Sequence, residues 1–241
     1  MQTAIIFGAT SGIGKGLLAL LISHGYKVGV TGRRTELLNQ LKTTYGNRIE
    51  TSTHDVQEEA TSSKCFTNLI NALGGSVDLV IHSSGIGYEN PTLDWNKEKD
   101  TLLTNVMGAT LIYNLVFRFF KSQGYGHLVA ISSIASLRGN RSSPAYFASK
   151  AFQVNYLESL YFKTKEIPGN QVFITDIRPG FIDTKMALGD GIFWMASTQK
   201  ACKQIFKAIQ KKKRRVYITK RWNLIAWVLK IVPSWLQRKV M

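Results

Sequence analysis

Three side chains that can bind or move a proton lie close together in the middle of this sequence, and a fourth precedes them: Ser133, Tyr146, Lys150 and Asn105. Tyr146-Phe-Ala-Ser-Lys150 puts a phenol and an ammonium at i and i+4, so on a helix both lie on one face and reach one site. A free tyrosine ionises near 10, too high for efficient proton exchange at neutrality, and a neighbouring positive charge moves it toward working pH. Ser133 stands thirteen residues before Tyr146 at the end of an apolar run, Ile131-Ser132-Ser133, where its hydroxyl can orient a substrate oxygen. A Tyr-x-x-x-Lys match alone is common, and the accompanying residues give this one its weight.

A second group binds rather than reacts. Gly8-Ala-Thr-Ser-Gly12-Ile-Gly14 follows an apolar run and opens a helical pattern. Glycines there allow a tight turn and close backbone approach, and the helix N-terminus offers free N-H groups and a positive dipole end to phosphate. The bland alternative is a simple turn. At the end of the next apolar run, where a carboxylate would accept from ribose hydroxyls, the chain reads Thr31-Gly32-Arg33-Arg34. Glycine followed by two guanidiniums suits a phosphate gripped bidentately. Lys15 is a possible helper or an ordinary surface residue.

The elements that must hold these groups alternate. Apolar runs at 3–8, 27–31, 49–53, 77–81, 126–132, 171–177 and 216–219 read as seven strands. Helical periodicity fills the gaps: through Leu17, Leu18, Leu21 and Ile22, around Leu37, Leu38 and Leu41, and over 61–73, 95–121, 145–164 and 198–211. Alternating strands and helices predict right-handed crossovers and one doubly wound (Rossmann) α/β domain over 1–241, a parallel seven-stranded sheet with helices on both faces. Its ligand is expected beyond the carboxyl ends of the strands, at the switch in strand order.

With the Gly-x-x-x-Gly-x-Gly turn, the Ser133, Tyr146 and Lys150 set, and Pro179-Gly180-Phe-Ile-Asp-Thr184 after the sixth strand, the chain resembles the classical short-chain dehydrogenase/reductase family over nearly its whole length. Two departures stand out: Phe7 precedes Gly8 where Thr is usual, and His82-Ser83-Ser84-Gly85 replaces the usual Asn-Asn-Ala-Gly. The resemblance implies an oxidoreductase moving a hydride between nicotinamide and a carbonyl or alcohol carbon, with NADP(H) expected over NAD(H) on the charge of Arg33 and Arg34. It implies Tyr146 as acid and base, Ser133 on the substrate oxygen, Lys150 on the nicotinamide ribose, and Asn105, in a Thr104-Asn-Val106 setting completed by Gly108, anchoring a water that links Lys150 to solvent. It carries the cofactor to Gly8, Thr10, Ser11, Gly12, Ile13, Gly14, Arg33, Arg34, Asp55, Val56, Ser83, Asn105, Tyr146, Lys150, Pro179, Gly180, Ile182 and Thr184. No metal is expected, since His24, His54, His82 and His127 lack ligand spacing. His82 reads as a packed strand-end histidine.

Composition is compatible with all of this. The 241 residues are 44% apolar, enough for one buried core, and the two cysteines, Cys65 and Cys202, suggest neither disulfides nor zinc. No export signal is seen at Met1, and no window holds the roughly 18 to 20 consecutive apolar residues of a span, so a cytoplasmic protein is expected. The family resemblance adds a homo-oligomer, dimer or tetramer. The segment 185–198, with the hinges Gly189 and Gly191 and with Met186, Leu188, Phe193, Trp194 and Met195 on either side of them, reads as a lid over an apolar carbonyl or alcohol substrate.

The net charge of +16 is uneven: no Asp or Glu follows Asp190, while thirteen Lys or Arg lie between Lys200 and Lys239. Residues 220–241 interleave Trp222, Ile225, Ala226, Leu229, Trp235 and Leu236 with basic side chains. This amphipathic segment either packs on its own domain or a neighbouring subunit, or touches a membrane surface. Nucleic acid is not expected, because no recognised module is present. Two other readings share parts of the pattern. A sugar-nucleotide epimerase or dehydratase would carry a Gly-x-x-Gly-x-x-Gly turn and a larger carboxy-terminal region. A non-catalytic redox sensor would have little need of the Asn, Ser, Tyr and Lys set.

Overall fold

Seven parallel strands form one sheet in the order β3-β2-β1-β4-β5-β6-β7, in a computed structural model that describes residues 1–184, 186 and 193–233. The strands are β1 Thr3–Phe7, β2 Lys27–Gly32, β3 Ile49–Thr53, β4 Leu79–His82, β5 Tyr125–Ile131, β6 Gln171–Pro179 and β7 Arg215–Ile218. The helices are α1 Gly12–Ser23, α2 Thr35–Tyr45, α3 Glu59–Ala72, α4 Trp95–Leu102, α5 Ala109–Gln123, α6 Pro144–Lys163, α7 Thr198–Gln210 and α8 Trp222–Ile231. The doubly wound expectation holds. The order reverses between β1 and β4, which puts the switch point where the glycine turn leaves β1.

Every residue of β1 is buried, and its side chains alternate between two cores. Ala4 and Ile6 face the core under α1, α2 and α7, with Leu17, Leu18, Leu21, Leu38 and Ile205. Ile5 and Phe7 face the core under α3, α5 and α6, with Phe66, Ile112, Tyr113, Phe120 and Leu157. Burying each such side chain contributes about 1.5–3 kcal/mol, so the sheet is fixed from both faces.

Strand limits agree with the sequence reading to within one residue except at the start of β4 and the end of β6. β4 starts at Leu79, because Asp78 turns its carboxylate to the Thr3 N-H at 2.8 Å. β6 runs on to Pro179, which a strand tolerates at its end, and pairs there with Ile218. The helix expected over 95–121 spans Trp95–Gln123 but is interrupted by a π-helical turn, Leu103–Gly108. By length and apolarity it matches a membrane span, yet Ile112, Tyr113, Val116 and Phe120 are wholly buried in the core.

In the basic tail, Trp222 and Ala226 of α8 pack with Tyr217, Ile134, Leu137 and Phe181. Arg138 caps the helix end, its Nε donating to the Leu229 carbonyl at 2.6 Å and a terminal nitrogen to the Lys230 carbonyl at 3.0 Å. Trp235, Leu236, Arg238 and Lys239 lie outside the described residues, as do Leu188, Gly189 and Gly191 of the expected lid.

Candidate active site

The glycine turn is shaped by contacts only glycine permits. Gly8 has φ +84°, and a Cβ there would stand 2.7 Å from the Ser84 amide nitrogen; one on Gly14 would stand 2.1 Å from the Gly8 carbonyl oxygen. The end of β4, where the Ser83 N-H donates to the Phe7 carbonyl at 2.8 Å, is thereby drawn against the turn. Ser11 is the N-cap of α1 but makes no side-chain cap hydrogen bond, so it caps none of the first N-H groups of α1. A phosphate fits that cradle. Thr184 closes it from the other side, its methyl 3.3 Å from where a Gly12 Cβ would be.

Arg34 leads into α2, with one terminal nitrogen donating to Thr10 Oγ1 at 2.8 Å and Ser11 Oγ at 3.1 Å. Arg33 pairs with Asp55 at 3.5 Å, both partly exposed. Asp55 also accepts from the Gln57 N-H at 3.1 Å, so it makes the Asx turn that is the plain structural alternative for this residue. Val56 is buried, held by Gly108, where a Cβ would meet the Val56 carbonyl at 2.6 Å. Ile13 is half-buried; Pro179 and Ile182 are buried, and Gly180 carries the Trp222 ring where a Cβ would be.

Beyond the carboxyl ends of β4, β5 and β6 the four proton-bearing candidates meet. Pro144 occupies the first turn of α6, where its missing N-H costs nothing, and starts the helix that carries Tyr146 and Lys150. Lys150 Nζ lies 5.9 Å from the Tyr146 ring centroid and donates to the Ile131 carbonyl at 3.2 Å. The Ser133 hydroxyl interacts with the Tyr146 phenol and accepts from the Ala135 N-H at 3.1 Å. Gly85 and Gly87 let the backbone approach these groups closely: a Cβ on Gly85 would stand 3.4 Å from Lys150 Nζ, and one on Gly87 would stand 2.7 Å from the Tyr146 ring.

Burial sets the protonation states. It holds the Tyr146 phenol above its ordinary value, with the Ser133 hydroxyl pulling the other way. It lowers Lys150 to about 8, while the Asp176 carboxylate opposes it. Asp176 is itself buried, accepting from Ser132 Oγ at 2.5 Å and paired with Arg178 Nε at 2.6 Å. Burial, then the Lys150 charge, lowers His82 to about 3. Its ring packs edge-on to Tyr113 at 5.0 Å, the packed role the sequence suggested.

Asn105 is fully buried in the π turn, a distortion common at functional sites. Its side chain accepts from the Ile86 N-H at 3.0 Å and donates to the Ile86 carbonyl at 2.7 Å and Ser149 Oγ at 3.0 Å. Its link to Lys150 runs through a side chain that the sequence reading missed: Gln153 donates to the Asn105 carbonyl at 2.8 Å and accepts from Lys150 at 3.0 Å. The signal was present, since Gln153 interrupts the buried stripe Ser149, Gln153, Leu157, Leu160 with an amide three residues after Lys150.

Of the expected apolar lid, Met186, Phe193, Trp194 and Met195 are exposed, with Phe193 and Trp194 against Trp222 at 5.1 and 6.2 Å. Among the described residues no group of three or more His, Cys, Asp or Glu converges on a metal-sized point.

The family model for short chain dehydrogenases matches residues 2–192. Carbonyl reductase family member 4 of Xenopus tropicalis is 32% identical over 190 residues, 78% of each protein. Among solved structures, a Burkholderia cenocepacia short chain dehydrogenase in complex with NADP superposes with a TM-score of 0.85 at 21% identity, covering 100% of this chain and 99% of that one. A Burkholderia phymatum short chain dehydrogenase/reductase in complex with NAD gives 0.85 at 19% identity, over 94% and 92%.

Proposed function

The chain belongs to the short-chain dehydrogenase family, and from that premise we propose that it is an NADP(H)-dependent oxidoreductase acting at a carbonyl or alcohol carbon of an apolar substrate. The reading rests on one observation above the others: Tyr146 lies beside both Ser133 and Lys150, with the backbone of Gly85 and Gly87 drawn close against them.

When bound, the nicotinamide dinucleotide supplies or takes up the hydride. Tyr146 gives a proton from its hydroxyl to a carbonyl oxygen in reduction and takes one from an alcohol in oxidation. Ser133 holds that oxygen toward Tyr146 and stabilises charge developing on it. Lys150 has its ammonium on the Tyr146 side of α6, where it favours the phenolate and can reach ribose hydroxyls. The raised Tyr146 keeps its proton at neutrality, so the chain by itself is poised as an acid, the state that reduction needs.

We assign Arg33 and Arg34 to a 2′-phosphate. Gly32 contributes no carboxylate there, and the exposed Arg33–Asp55 pair is weak enough, at about 0–1 kcal/mol, to yield one guanidinium to a dianion. The choice of an apolar substrate rests on the exposed Met186, Phe193, Trp194 and Met195.

The test is a fluorescence titration of wild type and Tyr146→Phe with NADPH and NADH, followed by NADPH oxidation over aldehydes, ketones, quinones and 3-oxoacyl thioesters. Tighter NADPH binding, turnover of a carbonyl, and a Phe variant that binds but loses about 10²–10⁴ in rate are expected. Binding of neither cofactor would overturn the reading, and tight binding without turnover on any carbonyl would replace it with a sensor.

A further inference from the structure

Helix α8 is apolar on two sides, and among the described residues only one of them has a partner. Its inner stripe, Trp222, Ile225, Ala226 and Leu229, packs toward the domain. Its outer stripe, Leu224, Trp227, Val228 and Ile231, has the i, i+3, i+4, i+7 spacing of a second buried face yet lies open, with Leu224, Trp227 and Ile231 57–61% exposed. A surface helix of a globular domain normally carries polar residues there. The arrangement is held firmly, because Arg138 ties three carbonyls at the end of α8, those of Leu229, Lys230 and Val232.

The charged residues on α8 and beside it in the sequence have one sign. Lys220, Arg221 and Lys230 flank the outer stripe and are exposed, and no acidic residue follows Asp190 in the sequence. The exposed Phe193 and Trp194 adjoin the start of α8: Phe193 packs tilted and Trp194 edge-on against Trp222, and Arg221 donates to the Trp194 carbonyl at 2.5 Å. A self-complementary contact centred on α8 would press Lys220, Arg221 and Lys230 of one copy against the same cations of the other, a like-charge juxtaposition that disfavours a second copy as the occupant. An interface with an apolar interior, a headgroup layer suited to tryptophan, and fixed negative charge answers every feature.

We propose that the outer face of α8 docks the protein on an anionic membrane surface. Leu224, Trp227, Val228 and Ile231 enter the headgroup boundary, and Lys220, Arg221 and Lys230 meet lipid phosphates. The helix lies in the plane of the surface; at ten residues it is far too short to cross.

The experiment is co-sedimentation of the full chain with vesicles of phosphatidylcholine alone and of phosphatidylcholine mixed with phosphatidylglycerol, at low and high salt, with sedimentation equilibrium run alongside. Binding to the anionic vesicles at least about tenfold above the neutral ones, weakened by salt, is expected. Leu224→Glu/Trp227→Glu should abolish it and Lys220→Gln/Lys230→Gln should reduce it severalfold, both with the wild-type melting temperature. Failure to bind anionic vesicles, equal binding to neutral ones, or undiminished binding by the Glu variant overturns the proposal. So does a wild type that self-associates through this face and turns monomeric in the Glu variant.

Discussion

Gln153 joins Lys150 to Asn105: its Oε1 accepts from Lys150 Nζ at 3.0 Å while its Nε2 donates to the Asn105 carbonyl at 2.8 Å. It is fully buried, so both ends of the amide are committed. An acceptor on the ammonium favours the charged lysine against the burial that lowers it to about 8. Gln153 is a positioning residue, acting on the proton chemistry through Lys150.

Gln153→Leu and Gln153→Glu should therefore move activity in opposite directions along pH. Leu removes the acceptor, so the alkaline limb of the pH-rate profile should fall at lower pH; Glu adds a negative charge beside Lys150, so it should fall at higher pH. Both leave the buried Asn105 carbonyl without its donor, a loss of about 1–3 kcal/mol in stability. A residue that merely packs would lower the melting temperature in both variants and shift neither limb.

Lys150 is costly to the fold. Burial lowers it from an ordinary 10.5 to about 8, so between those values the unfolded chain holds more protons than the folded one and stability rises with pH. At neutrality the buried charge costs on the order of 3 kcal/mol, against two hydrogen bonds worth about 1 kcal/mol each. Lys150→Met should abolish turnover yet keep or slightly raise the melting temperature at pH 7, with the difference shrinking as pH rises and turning in favour of the wild type by pH 10. A clear loss of stability at pH 7 would show that the hydrogen bonds outweigh the burial.

Arg33 and Arg34 should not contribute identically to cofactor choice. Arg33→Ala gives up an exposed ion pair, whereas Arg34→Ala also releases Thr10 and Ser11 of the glycine turn. Each should weaken NADPH about tenfold or more, on charge-assisted hydrogen bonds of about 1.5–3 kcal/mol. Arg34→Ala should also weaken NADH somewhat, and Arg33→Ala should leave it unchanged. Equal effects on both dinucleotides, read by fluorescence titration, would remove the 2′-phosphate from the assignment.

The strands, the glycine turn and the Tyr146–Lys150 pair were legible because each depends on local pattern: a continuous apolar run in a strand buried on both faces, glycine at a turn, i and i+4 on a helix. What was not legible depends on geometry that spacing does not encode. The π turn at Leu103–Gly108 adds one residue to a helical turn without breaking the apolar pattern, yet it sets Asn105 against Ile86 and Ser149. The Asp176–Arg178 pair joins the site through Ser132, just past the end of the neighbouring strand β5, and through its charge on Lys150. Gln153 was open to view but has no meaning until Asn105, 48 residues upstream, is known to lie beside it.

His82 sits where strand β4 meets the site, and its two ring nitrogens are buried with no hydrogen-bond partner among the described residues. Burial and the Lys150 charge lower it to about 3, so between 6.5 and 3 the unfolded chain takes up a proton that the folded chain refuses. Stability must then fall as pH drops through that window, the sense opposite to a histidine gaining an acidic partner. His127, also lowered to about 3 by burial, adds to the loss but keeps a 2.7 Å hydrogen bond to Thr175. His82→Leu should therefore move the midpoint of acid unfolding to lower pH, and because it removes two unpaired nitrogens it should also raise stability at pH 7 by about 1–3 kcal/mol. Circular dichroism across an acid titration decides it: an unchanged midpoint would mean that His82 takes up its proton in the fold as readily as in the unfolded chain, and that burial and the Lys150 charge do not hold it neutral in acid.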